Sequence, residues 1–485
     1  MTPLLRVIVV LVLLFSATVS LKADEVDRMI ETHMRNFHIP GISVAVVRNG
    51  RIVKAKGYGL ADVELNVPMT KDRVFEIASI TKQFTAAAIM MLVEHGVVRL
   101  DDAISQYLPN TPAAWSRITI RHLLTHTSGI HGTQSRVPAA AGDNTRIDNR
   151  FYPTTLDFQP GDGWAYSNAG YHLLGVIIAN LSGESCAAFV DEHILKPLGM
   201  LEGHVLVPNG IVANRAAGYE WSDGRLENRA FLPTAGSVGD VGLESTVGDL
   251  AKWDAALYTD KLLTYSSLAQ MWTPITLNDG TRSSFDYGFG WFVDTYRGHR
   301  VIHHPGVSAG FSSSITRFVD DKLTVIVLAN SSGQVVDQLA RRIAGLYVAP
   351  LAFPTVGIPD PDATTSEILH EGLLGMISGK PDLNLFTPAM QRFLMADTEL
   401  SQWLASFGKL TSFAYAGSEL RAHDRIPLPN HLGRQRLYLF IHADGAGQNR
   451  ARVLLVTIDL HPSIAIEPAR SRKSSIPLKG SVLVT

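Results

Sequence analysis

Residues 42–59 read "ISVAVVRNGRIVKAKGYG", two strand-forming runs joined by Asn49-Gly50. That dipeptide between apolar runs is a strong short-range signal for a β-hairpin. Ahead of it, "MIETHMRNFHIPG" has the spacing of an amphipathic helix that ends near Pro40 and Gly41. Strands return only late, at "YGFGWFVD", "RVIHH", "FSSSITRF" and "KLTVIVLAN", and a helix from about Val335 to Tyr347 follows. The stretch between, from Ile80 to about Tyr258, reads as helices and loops. Strands at both ends with helices inserted between predict one antiparallel sheet formed by both ends of the domain.

At 485 residues the chain is long enough for two or three domains. Its net charge of −2 gives no electrostatic case for nucleic acid or an anionic membrane. Cys186 is the one cysteine, which excludes a disulfide framework and a Cys-based metal site. The start of the chain has a cation at Arg6, an apolar run from Val7 to Phe15, and small or polar residues after it. That layout is a secretory signal peptide, too short for a membrane span, with cleavage after Ala23 or Ser20; an uncleaved anchor is the alternative. Residues 1–23 are read as the signal, and the mature protein is expected to be secreted or periplasmic, with no membrane span after cleavage. Residues 24–348 form the main domain. "APLAFPTVGIPDPD" (349–362) holds four prolines and no period, so it reads as a linker. Residues 363–485 read as a small α+β domain. It has helices near Ser366–Ser378 and Pro388–Phe407, then strands including "LTSFAYAG", "QRLYLFIHA" and "ARVLLVTIDL".

"ASITKQFTAAAIMMLVEHG" (78–96) is a helix apolar almost all the way round, yet it carries Ser79 at its start and Lys82 one turn on. A helix N-terminus presents free N–H groups and a positive dipole end. Lys82 shares a face with Ser79, and desolvation would lower its pKa until it could serve as a base toward the serine hydroxyl. Ser-x-x-Lys is short enough to arise by chance, and by itself it favours a capping serine and a lysine reaching out to solvent. Two further stretches change that balance. In "WAYSNAG", Tyr166 offers a proton shuttle and Asn168 an amide for a substrate carbonyl. In "VIHHPGVSAGF", His304-Pro305-Gly306 lies at a strand end, where Gly306 lets a substrate backbone approach. Pro305 cannot donate to a ladder, which makes its strand an edge.

Ser79-Ile80-Thr81-Lys82, Tyr166-Ser167-Asn168 and His304-Pro305-Gly306 resemble, in order, the three motifs of the serine β-lactamase and penicillin-binding-protein superfamily. The similar branch includes class C β-lactamases, D,D-carboxypeptidases, D-aminopeptidases and related esterases. "IPGISVAVVRNGRIV", "ITIRHLLTHTSGI", "YGFGWF" and "GVSAGF" share the likeness, which covers residues 26 to 347. It implies the fold class α/β with an all-α subdomain, an antiparallel sheet flanked by helices beside an all-helical region (β-lactamase/transpeptidase-like), with the cleft between them. Ser79 then resembles the acylated nucleophile, Lys82 its base, Tyr166 the second proton-transfer residue and Asn168 a substrate-orienting amide. His304 corresponds to the cation or donor of the third motif. The backbone N–H groups of Ser79 and of Val307, just past Gly306, would form the oxyanion hole.

Two departures bear on substrate. Pro305 stands where a hydroxyl residue is usual, and Val307 where relatives that grip a carboxylate offer Ser or Thr. Both weaken a carboxylate grip, so ester or D-amino-acid amide hydrolysis is favoured over strong β-lactamase action. The expected partner is a small-molecule or peptide substrate, with no cofactor. His122 and His126 in "RHLLTH" have the i, i+4 spacing of zinc ligands, but no Glu follows His122 and no third ligand is evident. His303 and His304 would point to opposite faces of their strand. The alternative from another class is a non-catalytic receptor for a cell-wall or β-lactam-like ligand.

Overall fold

The structure, a computed structural model, describes residues 25–131, 155–205, 210–222, 224–229, 239–283, 285–333, 336–352 and 375. It also describes the backbone of 409–420, 434–445, 448–460 and 480–484. The signal segment, the linker beyond residue 352 and the two helices expected at 366–378 and 388–407 lie outside the described residues.

Residues 25–37 form helix α1. Strands β1 (Gly41–Arg48) and β2 (Arg51–Asp62) make the expected hairpin. Asn49 and Gly50 take φ of 51° and 72°, the left-handed pair that a two-residue turn needs to match strand twist. A short β3 (Val67–Pro68) borders β2. The late segment supplies β4 (Phe292–Tyr296), β5 (His299–Ser308), β6 (Phe311–Phe318) and β7 (Leu323–Ala329). The seven strands run in the order β3-β2-β1-β7-β6-β5-β4. The two ends of the domain meet where β1 pairs antiparallel with β7, from Ile42 opposite Ala329 to Arg48 opposite Leu323.

The other helices are α2 (Thr81–Glu94), α3 (Ile120–Leu124), α4 (Asn168–Ser182), α5 (Val247–Ala256) and α6 (Val336–Tyr347). β1, β6 and β7 are buried along nearly their whole length, because both sheet faces are covered; that is why they read as continuous apolar runs rather than alternating ones. Ala45, Val47, Ile315, Ile326 and Leu328 join one core with Phe84 of α2 and Leu250 and Trp253 of α5. The alternate residues Val44, Val46, Val325 and Val327 are equally buried, on the face where α6 packs against β6 and β7. Every residue of α2 from Thr81 to Met90 is buried, which accounts for its all-round apolar sequence.

Two readings need correction. The stretch expected to be helix and loop contains small sheets: Phe75–Glu76, Leu243–Ser245 and His204–Val205 form one, Tyr219–Ser222 and Arg225–Asn228 another. Strands of two to four residues are too short to display a period. "YGFGWFVD" is strand only from Phe292. Gly290 has φ of 77°, and a Cβ there would sit 2.7 Å from the Lys82 carbonyl oxygen, so this segment is a loop pressed onto the backbone of α2.

The chain divides into two compact units, Met1–Asp294 with His299–Ala352, and Thr295–Gly298 with Phe353–Thr485. Within the second, Lys409–Leu420, Arg434–Gly445, Gln448–Leu460 and Gly480–Val484 form a four-stranded antiparallel sheet in chain order.

Candidate active site

Ser79 lies in a single 3-10 turn, Ala78–Ile80, that leads directly into α2. Ala78 holds φ of 47°, a left-handed conformation that costs a residue with a Cβ roughly 1 kcal/mol or more. Ser79 is half-buried between the buried Ala78 and Ile80. Lys82 is fully buried. Its Nζ lies 3.1 Å from Ser79 Oγ, 2.8 Å from Asn168 Oδ1 and 2.9 Å from the Asp240 carbonyl oxygen. Burial brings its pKa down to about 7, against an opposing pull from the Asp240 carboxylate. When Lys82 is neutral, two N–H bonds serve Asn168 and Asp240, and the lone pair is left for the proton of Ser79.

Asn168 opens α4, capped by Ser167, whose hydroxyl accepts the Gly170 N–H at 3.1 Å. The cap fixes the segment just before the helix and thereby Tyr166. The Tyr166 ring centroid is 4.9 Å from Lys82 Nζ. Its hydroxyl is buried without a completed hydrogen bond; burial raises its pKa, and only the nearby Ser79 hydroxyl draws it back. Tyr166 is thus a neutral phenol aimed at the serine.

The opposite wall is the end of β5. A Cβ on Gly306 would lie 2.3 Å from Ser313 Oγ, 2.4 Å from the Ile77 carbonyl oxygen and 3.1 Å from the Ser79 nitrogen. The glycine therefore brings strand and nucleophile turn together, as well as leaving room for substrate. Val307 follows and is 55% exposed, an apolar side chain on the lip of the site. The outermost strand is β4, not β5. The expectation that Pro305 lies on an edge strand therefore needs correction, because β5 sits between β4 and β6.

His304 is neutral. Burial, with the Lys82 charge adding to it, lowers its pKa to about 3. Its Nδ1 is 2.6 Å from the Pro305 carbonyl oxygen and its Nε2 is 3.0 Å from the Tyr287 hydroxyl. Nδ1–H therefore donates to the carbonyl and Nε2 accepts from the tyrosine. The side chain expected to be a cation or donor toward substrate instead ties Tyr287 to the strand. His303 faces the other way, toward Arg341 at 3.2 Å.

The Beta-lactamase family model matches residues 26–349. The chain belongs to the beta-lactamase family. It is a serine hydrolase of the β-lactamase and penicillin-binding-protein type. It is 33% identical over 330 residues to penicillin-binding protein 4* of Bacillus subtilis, covering 64% of this chain and 72% of that protein. It is 29% identical over 340 residues to protein flp of Staphylococcus aureus, covering 69% of this chain and 68% of that one. Among solved structures it resembles the octameric penicillin-binding protein homologue from Pyrococcus abyssi, with a TM-score of 0.58 at 23% identity over 90% of this chain and 97% of that one.

His122 and His126 do not share a helix face. α3 ends at Leu124 and His126 has φ of 61°, so the two are not one turn apart on one helix. His122 Nδ1 accepts the Thr119 N–H at 3.2 Å, and His126 Nδ1 accepts the Ser167 N–H at 3.1 Å. Among the described residues no group of three His, Cys, Asp or Glu could hold a metal ion. Sequence reasoning missed three participants: Asp240, whose carbonyl takes a Lys82 N–H, Tyr287 against His304, and His126 beside Tyr166.

Proposed function

We propose that this beta-lactamase-family hydrolase cleaves an ester or amide bond through an acyl-enzyme on Ser79. The reading is carried by one observation: a fully buried Lys82, its pKa lowered to about 7, with Nζ 3.1 Å from Oγ of the half-buried Ser79. At neutral pH about half of such lysines are uncharged. Ser79 Oγ attacks the carbonyl carbon as its proton passes to Lys82 Nζ. The negative charge that develops on the carbonyl oxygen is met by the N–H groups of Ser79 and Val307, each worth on the order of 3 kcal/mol. Tyr166 hands a proton to the departing alkoxide or amine and recovers it from Lys82, and Asn168 orients substrate and lysine together. Water then attacks the acyl group with the same relay reversed, releasing the acid and free Ser79.

Short apolar acyl esters fit this site better than penicillins or cephalosporins. Pro305 and Val307 supply no hydroxyl for a carboxylate, and His304 is neutral with both nitrogens engaged. An apolar face continues outward: Trp164 stacks on Phe285 at 4.6 Å, and Phe285 is 42% exposed. The N-terminal segment supports a secreted or periplasmic enzyme. The test is kcat/KM for nitrophenyl butyrate and for a chromogenic cephalosporin on one preparation of the full chain. The ester is expected to have the higher value. A preference for the cephalosporin would refute the substrate reading, and acylation without multiple turnover on any ester would favour a receptor over an enzyme.

A further inference from the structure

We propose that His126 is a positioning residue that holds Tyr166 in register with Ser79 and Lys82, a role that rests on the proposed function of Tyr166. The Tyr166 hydroxyl has the Ser79 hydroxyl beside it but no hydrogen bond of full geometry to an anchored group. Its place is set largely by its backbone and by what its ring touches, and His126 contacts both.

The His126 carbonyl oxygen accepts the Ala165 N–H at 3.0 Å, and its ring Nδ1 accepts the Ser167 N–H at 3.1 Å. The residues on either side of Tyr166 are thus bound to one histidine. The two rings lie 4.3 Å apart between centroids. Behind the imidazole stand Tyr287 at 4.6 Å, Tyr171 at 5.0 Å and, edge-on, Trp164 at 5.9 Å. The Tyr171 hydroxyl donates to the Leu124 carbonyl oxygen at 2.7 Å, so the surround is itself anchored to α3. Because Nδ1 accepts, the ring proton sits on Nε2, which is buried with no polar partner. Burial keeps the imidazole neutral, with the Lys82 charge acting in the same direction. An unpaired Nε2–H facing aromatic rings is a weak donor to their π faces. A buried imidazole left in that state costs more than an apolar side chain would, and the double grip on the Tyr166 segment is what it provides in return. The left-handed φ of 61° lets carbonyl and ring reach toward the same strand of chain. Among residues with a Cβ, asparagine tolerates that conformation well.

The experiment is a double-mutant cycle on the full chain with nitrophenyl butyrate. It uses His126→Ala, Tyr166→Phe and the double variant, with His126→Asn as the rescue, because its amide oxygen can accept near the Nδ1 position. Folding is checked by circular dichroism. If His126→Ala does not fold, the same cycle is run with His126→Gln. The expected loss in kcat for His126→Ala is about a hundredfold with KM little changed, and His126→Asn should recover to within about tenfold of wild type. The double variant should be no slower than Tyr166→Phe alone, because removing the clamp has no further effect once the hydroxyl is gone. A folded His126 variant at the wild-type kcat would overturn the proposal. So would losses that multiply in the double variant, or an Asn variant no better than Ala. A Tyr166→Phe enzyme at the wild-type rate would instead refute the role of Tyr166, and the clamp with it; that result differs from a failure of His126 alone.

Discussion

Gly306→Ala tests the contact between the oxyanion strand and the nucleophile turn. The added Cβ would stand 2.4 Å from the Ile77 carbonyl oxygen, and ordinary contact begins near 3.4 Å. The gap must open by about 1 Å, because the obstacle is backbone. Ser313 cannot swing aside freely, since its hydroxyl donates to that same carbonyl at 2.8 Å and is buried. β5 therefore has to move away from Ser79, and the Val307 N–H moves with it. A displacement of this size at a reacting centre costs about a hundredfold, and full loss of one oxyanion donor costs about a hundred- to a thousandfold. We expect kcat on nitrophenyl butyrate to fall by about 10²–10³ with KM changed less than about fivefold. Overpacking should destabilise the domain by about 1–3 kcal/mol, read from urea denaturation. A folded Gly306→Ala enzyme with the wild-type kcat would show that the strand and the turn do not form the hole together.

The rate should depend on Lys82 being neutral. With its pKa lowered to about 7 by desolvation, kcat/KM should fall about tenfold per unit below pH 7 and level off above about pH 8; a limb centred near 10 would mean an unperturbed lysine. His304, lowered to about 3, should add no limb in that range. Val307→Ser should shift the ratio of cephalosporin to ester turnover upward by about ten- to a hundredfold, the worth of one hydrogen bond to a charged group; an unchanged ratio would remove Val307 from specificity. Arg317 Nε donates to Asp254 Oδ1 at 2.6 Å with both groups all but fully buried, so Asp254→Ala should cost about 3–5 kcal/mol in urea denaturation. The fraction that folds should keep its wild-type kcat, because the pair is part of the packing and not of the proposed chemistry.

The sheet was legible because its signals are local. Asn49-Gly50 specifies a turn, and a run such as "ISVAVV" can be continuously apolar only where both faces are covered. The short strands near Glu76 and Glu244 were hidden for the opposite reason, since strands of 2 and 3 residues carry no period. The motifs located Ser79, Lys82, Tyr166, Asn168 and Gly306 at one place, because each needs a particular residue type at a helix start or strand end. What they could not convey is who completes the polar set. Asp240 contributes a backbone carbonyl, which any residue has, so no sequence signal marks it. His126 looked like half of a zinc pair because spacing alone assumes that the helix continues. The chain instead turns left-handed at His126, and its ring is recruited by Ser167, 41 residues away. Gly306 was read as room for substrate, whereas the tighter constraint is the chain's own Ile77 carbonyl.

The central claim is that Ser79 carries the acyl group. Intact-protein and peptide mass spectrometry after reaction with a serine-directed fluorophosphonate tests it most directly. The account predicts one added phosphonyl group, on the peptide containing Ser79, with labelling lost in Ser79→Ala and slowed in Lys82→Ala. Full labelling of a folded Ser79→Ala protein would contradict it and move the nucleophile elsewhere.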